Sequence, residues 1–248
     1  MLSGAFNEAL KDGVIRDNTA KRYEFKKAEK YKGARVYSKE EVDVLLKQAE
    51  KEGEPIYSAV VLGVCYGLRR SEVCGLRWID FDFKENLFVV SNVVVQVEGI
   101  PVEKETTKTS KSHRSMPLLP NTIDYFKHLK EAQENSGITT GKVCAWSDGR
   151  PVRPDFVTRA VKKVEEKCGL PSIRFHDLRH TAASLLAPYV APKQLQEFLG
   201  HEDISTTLGI YTHIVDEQRR ATSNTMNQIL GGAFVLNECS EGNEESSE

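Results

Sequence analysis

His176-Asp177-Leu178-Arg179, Leu199-Gly200-His201 and Tyr211-Thr212-His213 follow one another in the last third of this 248-residue chain. Working outward, Gly67-Leu68-Arg69-Arg70-Ser71-Glu72 adds a second guanidinium. Lys108-Thr109-Ser110-Lys111 adds an amine ahead of Arg114-Ser115-Met116-Pro117-Leu118. These are cationic and proton-transferring groups around one candidate nucleophile, the Tyr211 phenol. Phosphoryl transfer without a metal calls for such a set.

Each string has a chemical reading and a plain one. On a helix, positions i and i+3 share a face, so His176 and Arg179 point together at one phosphate, with the arginine fork on two nonbridging oxygens. The plain alternative is a surface ion pair with Asp177. In the Gly67-Leu68-Arg69 turn, between two helices, Arg69 is the expected ligand and Arg70 its solvated neighbour. Glu72, one turn on, buttresses the guanidinium. Lys108, Lys111 and Arg114 fall between apparent strands, in a hairpin loop from which a lysine can reach a leaving oxygen as general acid; a generic basic loop is the competing reading. Tyr211, with a phenol pKa of about 10, needs nearby cations and a proton acceptor to become a nucleophile. Otherwise it is a buried structural tyrosine.

The pattern along the chain predicts a mostly α-helical α+β fold with one small antiparallel sheet. Ser38 and Glu41 form an S-x-x-E capping box before Val42, Leu45, Leu46 and Ala49 at helical spacing, and Gly53 and Pro55 end that helix. An apolar helix from Ile56 to about Tyr66 runs into the Gly67 turn, and Ser71 and Glu72 start another. Strands are expected at Leu87–Val90, Val93–Val97 and Arg114–Leu118, with Gly99-Ile100-Pro101 turning the chain. Helices follow at Thr122–Glu134, Asp155–Lys167, Asp177–Ala187 and Pro192–Leu199, with another after His213. Residues 1–34 read as a helix over Leu2–Asp12 and a Lys-rich connector, either the end of a preceding domain or a solvated arm. The main domain spans 35–230, and 231–248 form an acidic, Ser-rich tail.

Composition bounds the rest. The formal net charge is −2, but residues 231–248 hold five Glu and neither Lys nor Arg, leaving 34 basic against 31 acidic residues elsewhere, a formal +3. A nucleic-acid partner is left open rather than favoured. Nothing approaches the run of roughly 20 apolar residues that spans a membrane, and the amino terminus lacks a signal peptide's apolar core, so cytoplasm is the default compartment. The five cysteines are scattered without a C-x-x-C pair, as reduced thiols are.

As a set, these motifs resemble the tyrosine recombinase family: phage integrases, Xer and Cre-like proteins, and integrases of conjugative transposons. The resemblance runs from about residue 35 to 220. It rests on Arg69 in G-L-R-x-S-E, His176 and Arg179 in H-x-L-R-H, His201 in L-G-H, Tyr211 in the Y-T-H box, and Lys108 in K-T-x-x-S-x-R-x-x-P-L, with Lys111 its competitor. It implies the family's catalytic fold, with residues 1–34 as the end of a core-binding domain and its linker. It also implies DNA strand exchange at double-stranded attachment sites of a mobile element, phage or transposon, with no cofactor and no metal.

In that chemistry Tyr211 forms a 3′-phosphotyrosyl link and Arg69 and Arg179 clamp the phosphate. Lys108 protonates the leaving 5′-oxygen, His176 exchanges a proton with Tyr211, and His201 donates a hydrogen bond. The family further implies a homo-tetramer on two DNA sites, passing through a Holliday junction, and leaves room for accessory excision or DNA-bending factors. Ala233-Phe234-Val235-Leu236 in the tail is expected to dock on a neighbouring protomer. Rival readings are a type IB topoisomerase that reseals the same strand, an inactive DNA-binding regulator, and a metal cluster of His176, His180, His201 and His213, which lacks acidic ligands at matching spacing.

Overall fold

The computed structural model describes residues 2–18, 35–105, 114–200 and 204–230. The chain divides into two compact units, Met1–Arg35 and Val36–Glu248. The first contains α1 (Leu2–Lys11) and a turn in which the Asn18 side chain donates to Asn7 Oδ1 at 2.8 Å. Most of the expected basic connector, the loop carrying Lys108 and Lys111, His201, and the tail expected to dock on a neighbour lie outside the described residues.

The second unit opens with the capping box read from the sequence. Ser38 Oγ accepts from the Glu41 amide at 3.2 Å and Glu41 Oε2 accepts from the Ser38 amide at 2.9 Å. They start α2 (Lys39–Glu52), which buries Val42, Leu45 and Ala49. Next, α3 (Ile56–Val64) is apolar on every side, and everything from Ser58 to Val64 is buried. Such a helix belongs in the middle of a core, and α2, α6 (Pro154–Lys167) and α7 (Phe175–Leu186) pack around it. A Cβ on Gly63 would come within 2.8 Å of the Phe175 ring. The glycine therefore lets α7 lie directly against α3, which fixes the two segments carrying most of the cationic motif residues.

The sheet is in two pieces rather than one. β1 (Phe81–Asp82), β2 (Leu87–Val90) and β5 (Arg114–Pro117) pair antiparallel in the order β1-β2-β5, with Phe88 opposite Met116 and Val90 opposite Arg114. β3 (Asn92–Val97) and β4 (Ile100–Glu105) form a separate hairpin. Its turn is at Glu98 and Gly99, both at positive φ (51° and 80°), one residue before the turn expected at Gly99-Ile100-Pro101. β4 was not expected, because Ile-Pro-Val-Glu-Lys-Glu has poor strand composition. It forms as a mostly exposed edge, where Pro101 has no ladder donor to lose. Gly75, closing α4 (Arg70–Gly75), lies so near Asn92 that a Cβ would meet its carbonyl at 2.4 Å, which anchors the hairpin.

The remaining helices are α5 (Pro120–Asn135), α8 (Pro192–Leu199) and α9 (Ile204–Leu230). A helix was expected only after His213; α9 begins nine residues earlier, so Tyr211 lies on the helix and not in the loop before it. Among the described residues no helix is long and apolar enough to cross a membrane.

Candidate active site

The turn after α3 places Arg69. Gly67 has φ +61°, and a Cβ on it would be strained and only 2.7 Å from Leu199 Cδ2. Arg69 follows in extended conformation as the residue that caps α4, its amide donating to Glu72 Oε2 at 2.8 Å. Its side chain donates from Nη1 to Glu72 Oε1 (2.8 Å) and from Nη2 to the Gly200 carbonyl (3.0 Å), and remains 38% exposed. The expected buttress is therefore present, but Glu72 is shared.

Arg114 donates from Nη1 to Glu72 Oε1 (3.0 Å) and from Nη2 to Oε2 (2.9 Å), a bidentate pair in the interior. Burial alone would raise the Glu72 pKa. The hydrogen bonds and charge of Arg114, with the charge of Arg69, overcome that and hold it at about 2. Of the two readings of Arg114, as part of the basic loop and as the start of a strand over Arg114–Leu118, the strand holds: Arg114 begins β5 and alternates inward with Met116.

Arg179, on α7, is 1% exposed. Nη1 donates to the Gly67 carbonyl at 2.9 Å, while Nε and Nη2 are buried with no hydrogen-bond partner among the described residues. Burial first, and then the positive charge of Arg69, bring its pKa down to about 9, so it stays charged at neutral pH. A buried cation with two donors that have no partner among the described residues, beside a second cation, is suited to an anion, since leaving such donors unpaired is costly.

His176, one turn earlier on α7, is exposed at the rim. Partial burial of its ring, followed by the charges of His180, Arg179 and Arg69, lowers its pKa to about 4. It is a neutral imidazole at pH 7, able to accept a proton. The His180 ring stands edge-on to it, with centroids 5.0 Å apart. Asp177 does not pair with His176 or Arg179. Its carboxylate accepts from the Arg174 amide (3.0 Å), Nε (3.1 Å) and Nη2 (2.8 Å), which caps α7.

Arg69 and His176 open onto a surface cavity of about 430 Å³ that Arg70, Ser71, Thr158 and Arg174 also line. Arg70, expected only as a solvated neighbour, is exposed but donates to Thr158 Oγ1 at 2.8 Å and so forms part of the cationic wall.

Tyr211 is hydrogen-bonded to none of these groups. Its ring packs on the small cluster of Ala183, Ala187, Leu195 and Leu199, and its hydroxyl donates to the Val190 carbonyl. Burial raises its pKa, and donation to a carbonyl also favours the neutral phenol. Among the described residues no charged side chain contributes to that shift, so neither Arg69 nor Arg179 supplies the cationic setting expected around the phenol here. The structure thus brings together Arg69, His176 and Arg179, and adds Glu72, Arg114 and the Gly200 carbonyl. Arg114 was visible only as the inward position of an alternating Arg-Ser-Met-Pro strand. No local pattern marks Gly200 as an acceptor for Arg69. Among the described residues no group of three or more His, Cys, Asp or Glu is placed to hold a metal ion.

Comparison with known proteins bears on this arrangement. The family model described as "Phage integrase family" matches residues 35–218. The chain is 28% identical over 214 residues to a XerC-like tyrosine recombinase of Caldanaerobacter subterraneus subsp. tengcongensis, covering 79% of this chain and 54% of that protein. It is also 28% identical over 211 residues to the transposase of transposon Tn916 from Enterococcus faecalis, covering 78% and 51%. The chain spans about half the length of these relatives.

Among solved structures, the Tn1549 transposon integrase in complex with circular intermediate DNA aligns at TM-score 0.70 and 24% identity, covering 90% of this chain and 76% of that one. A lambda integrase tetramer bound to a Holliday junction aligns at TM-score 0.57 and 22% identity, covering 84% and 56%. The sequence match begins just before α2 and ends within α9, so it contains every element that builds the arginine cluster, and on it the chain belongs to the phage integrase family, the tyrosine recombinases.

Proposed function

We propose that this chain carries the catalytic part of a site-specific DNA recombinase that cleaves and rejoins strands at the attachment sites of a mobile element. The observation that carries the reading is Arg179: a buried guanidinium next to Arg69, with two donors that have no partner among the described residues. Such a pair fits the nonbridging oxygens of one phosphodiester and the extra charge of its pentacoordinate transition state. Arg70 and Arg174, on the adjoining cavity wall, suit the backbone of the same strand, contacts that set register rather than sequence preference.

In the proposed reaction the Tyr211 oxygen attacks phosphorus and the bond to the 5′-oxygen breaks, leaving a 3′-phosphotyrosyl link. His176, neutral at pH 7, takes the phenolic proton. Lys108, with Lys111 its competitor, gives a proton to the departing 5′-oxygen, and His201 donates a hydrogen bond to the phosphate. A second 5′-hydroxyl then attacks the link and returns the phenol, so the phosphodiester count is unchanged. Attack requires the Tyr211 hydroxyl to leave the Val190 carbonyl. The acting species is a homo-tetramer on two double-stranded sites, by likeness to the lambda integrase tetramer bound to a Holliday junction. The reaction would take place in the cytoplasm, with accessory excision or DNA-bending factors as further partners. Residues 1–34 would end a core-binding domain, and 231–248 would dock on a neighbouring protomer.

The test is a nicked duplex whose short 5′ end diffuses away after cleavage. The chain should form a covalent adduct on a denaturing gel, and Tyr211→Phe should form none while still shifting DNA in a native gel. Adduct at normal yield in that variant would assign the nucleophile to another residue, with Tyr189 and Tyr125 next in line. Plasmid relaxation without strand exchange would favour the topoisomerase reading.

A further inference from the structure

Glu72 is a buried carboxylate with four N–H donors, two from Arg69 and two from Arg114. The two arginines have different surroundings. Arg69 is partly exposed and spends its last hydrogen-bonded nitrogen on Gly200, whereas Arg114 is buried, reaches in from β5, and has no partner for its Nε among the described residues. Arg114 also lies beside the glycine that carries Arg69's other acceptor: a Cβ on Gly200 would lie 3.0 Å from Arg114 Nη1 and 3.1 Å from its Cδ. One side chain thereby bonds Glu72 and closes the space beside Gly200, the two groups that orient Arg69.

From this contact pattern we propose that Arg114 is a positioning residue, neutralising Glu72 and bracing Gly200 so that Arg69 keeps its charge and its fork directed at the scissile phosphate. Arg69, Arg114, Arg179 and Glu72 together leave two net positive charges for the phosphate. Without Arg114 one would remain, and Glu72 would draw Arg69 into a closed pair. The part played by phosphate rests on the proposed recombinase reaction; the neutralisation of Glu72 does not.

Two measurements test it. The first follows the Glu72 side-chain carbon by NMR during an acid titration. The native chain should keep Glu72 ionised to about pH 2, as Arg114→Lys should nearly do. Arg114→Gln, which keeps an amide donor but loses the charge and the bidentate fork, should raise the midpoint by at least about one pH unit. An unchanged midpoint in Arg114→Gln overturns the proposal.

The second is the rate of adduct formation on the nicked duplex. Arg114→Gln should be slower by about a hundredfold, the scale of a small misplacement of a reacting group, with DNA affinity nearly unchanged. Arg114→Lys should recover most of the rate, and adding Glu72→Gln to Arg114→Gln should recover at least about tenfold by restoring the charge balance. A double variant no faster than Arg114→Gln would make Arg114 merely structural and sink the idea. If Arg114→Gln does not fold, the Lys variant and the uncharged double variant carry the same comparison. A native chain that forms no adduct would defeat the recombinase reading, and the titration would then decide the role of Arg114 by itself.

Discussion

The arginine cluster and the Tyr211 corner are built differently. Arg69, Glu72, Arg114 and Arg179 are tied by hydrogen bonds of 2.8–3.0 Å to one another and to the Gly67 and Gly200 carbonyls, against the main hydrophobic core. Tyr211 rests on a cluster of four small or aliphatic residues and one backbone carbonyl. The groups suited to phosphate are preformed, and the candidate nucleophile is held on an acceptor unrelated to them. A preorganised charge clamp needs no reorganisation when the reaction occurs. A nucleophile tethered by one hydrogen bond of about 1 kcal/mol can be released by contacts that a bound DNA provides.

The strongest way to break the preformed side is Arg179→Lys. Lysine keeps the charge but cannot bond Gly67 and two phosphate oxygens at once, so adduct formation should fall by about two to three orders of magnitude, measured on the nicked duplex. The fold should survive, as checked by circular dichroism. A loss below tenfold would mean that the unmet donors of Arg179 do not meet phosphate.

Acid should separate the two regions next. The folded-state pKa of Glu72 is depressed to about 2, so its contribution to stability is complete above the unfolded value near 4.5 and is lost as pH falls from there to about 2. The same sign holds for His176: its folded pKa of about 4 lies below the ordinary 6.5, so acidification through that window favours the unfolded state, which binds the extra proton. Denaturant titrations from pH 7 to pH 3 should show a progressive loss, and Glu72→Gln should flatten its lower part. A profile unchanged by Glu72→Gln would show that the ion pairs do not hold that carboxylate down.

The smallest expected effect sharpens the other side. Tyr211→Phe removes one hydroxyl-to-carbonyl bond, so stability should drop by about 1 kcal/mol, read as a shift in the denaturant midpoint. A loss above about 3 kcal/mol would mean that Tyr211 is an integral core residue, leaving little scope for it to swing toward phosphate.

Much of this was legible in local patterns. The Ser38–Glu41 box, the mostly apolar Ile56–Val64 run and the Gly67 turn each act within a few residues, and each appears where its pattern predicts. The strings around Arg69, His176, Arg179 and Tyr211 likewise announce the family, because their residue types and order are specific as a set. Hidden from such reading were β4, whose Pro and charges oppose strand formation until a partner strand supplies the ladder, and the early start of α9.

The sequence by itself determined the helical framework, the family and the identity of the candidate chemical groups, since capping, periodicity and motif chemistry are properties of neighbours in the chain. Only the tertiary structure decided how those groups are used. The bond from Arg114 to Glu72 joins residues 42 apart, that from Arg179 to Gly67 joins residues 112 apart, and that from Arg69 to Gly200 joins residues 131 apart. Interactions at such separations exist only once the core has closed around α3. Burial then lowers the dielectric that makes a shared carboxylate and two unmet arginine donors significant.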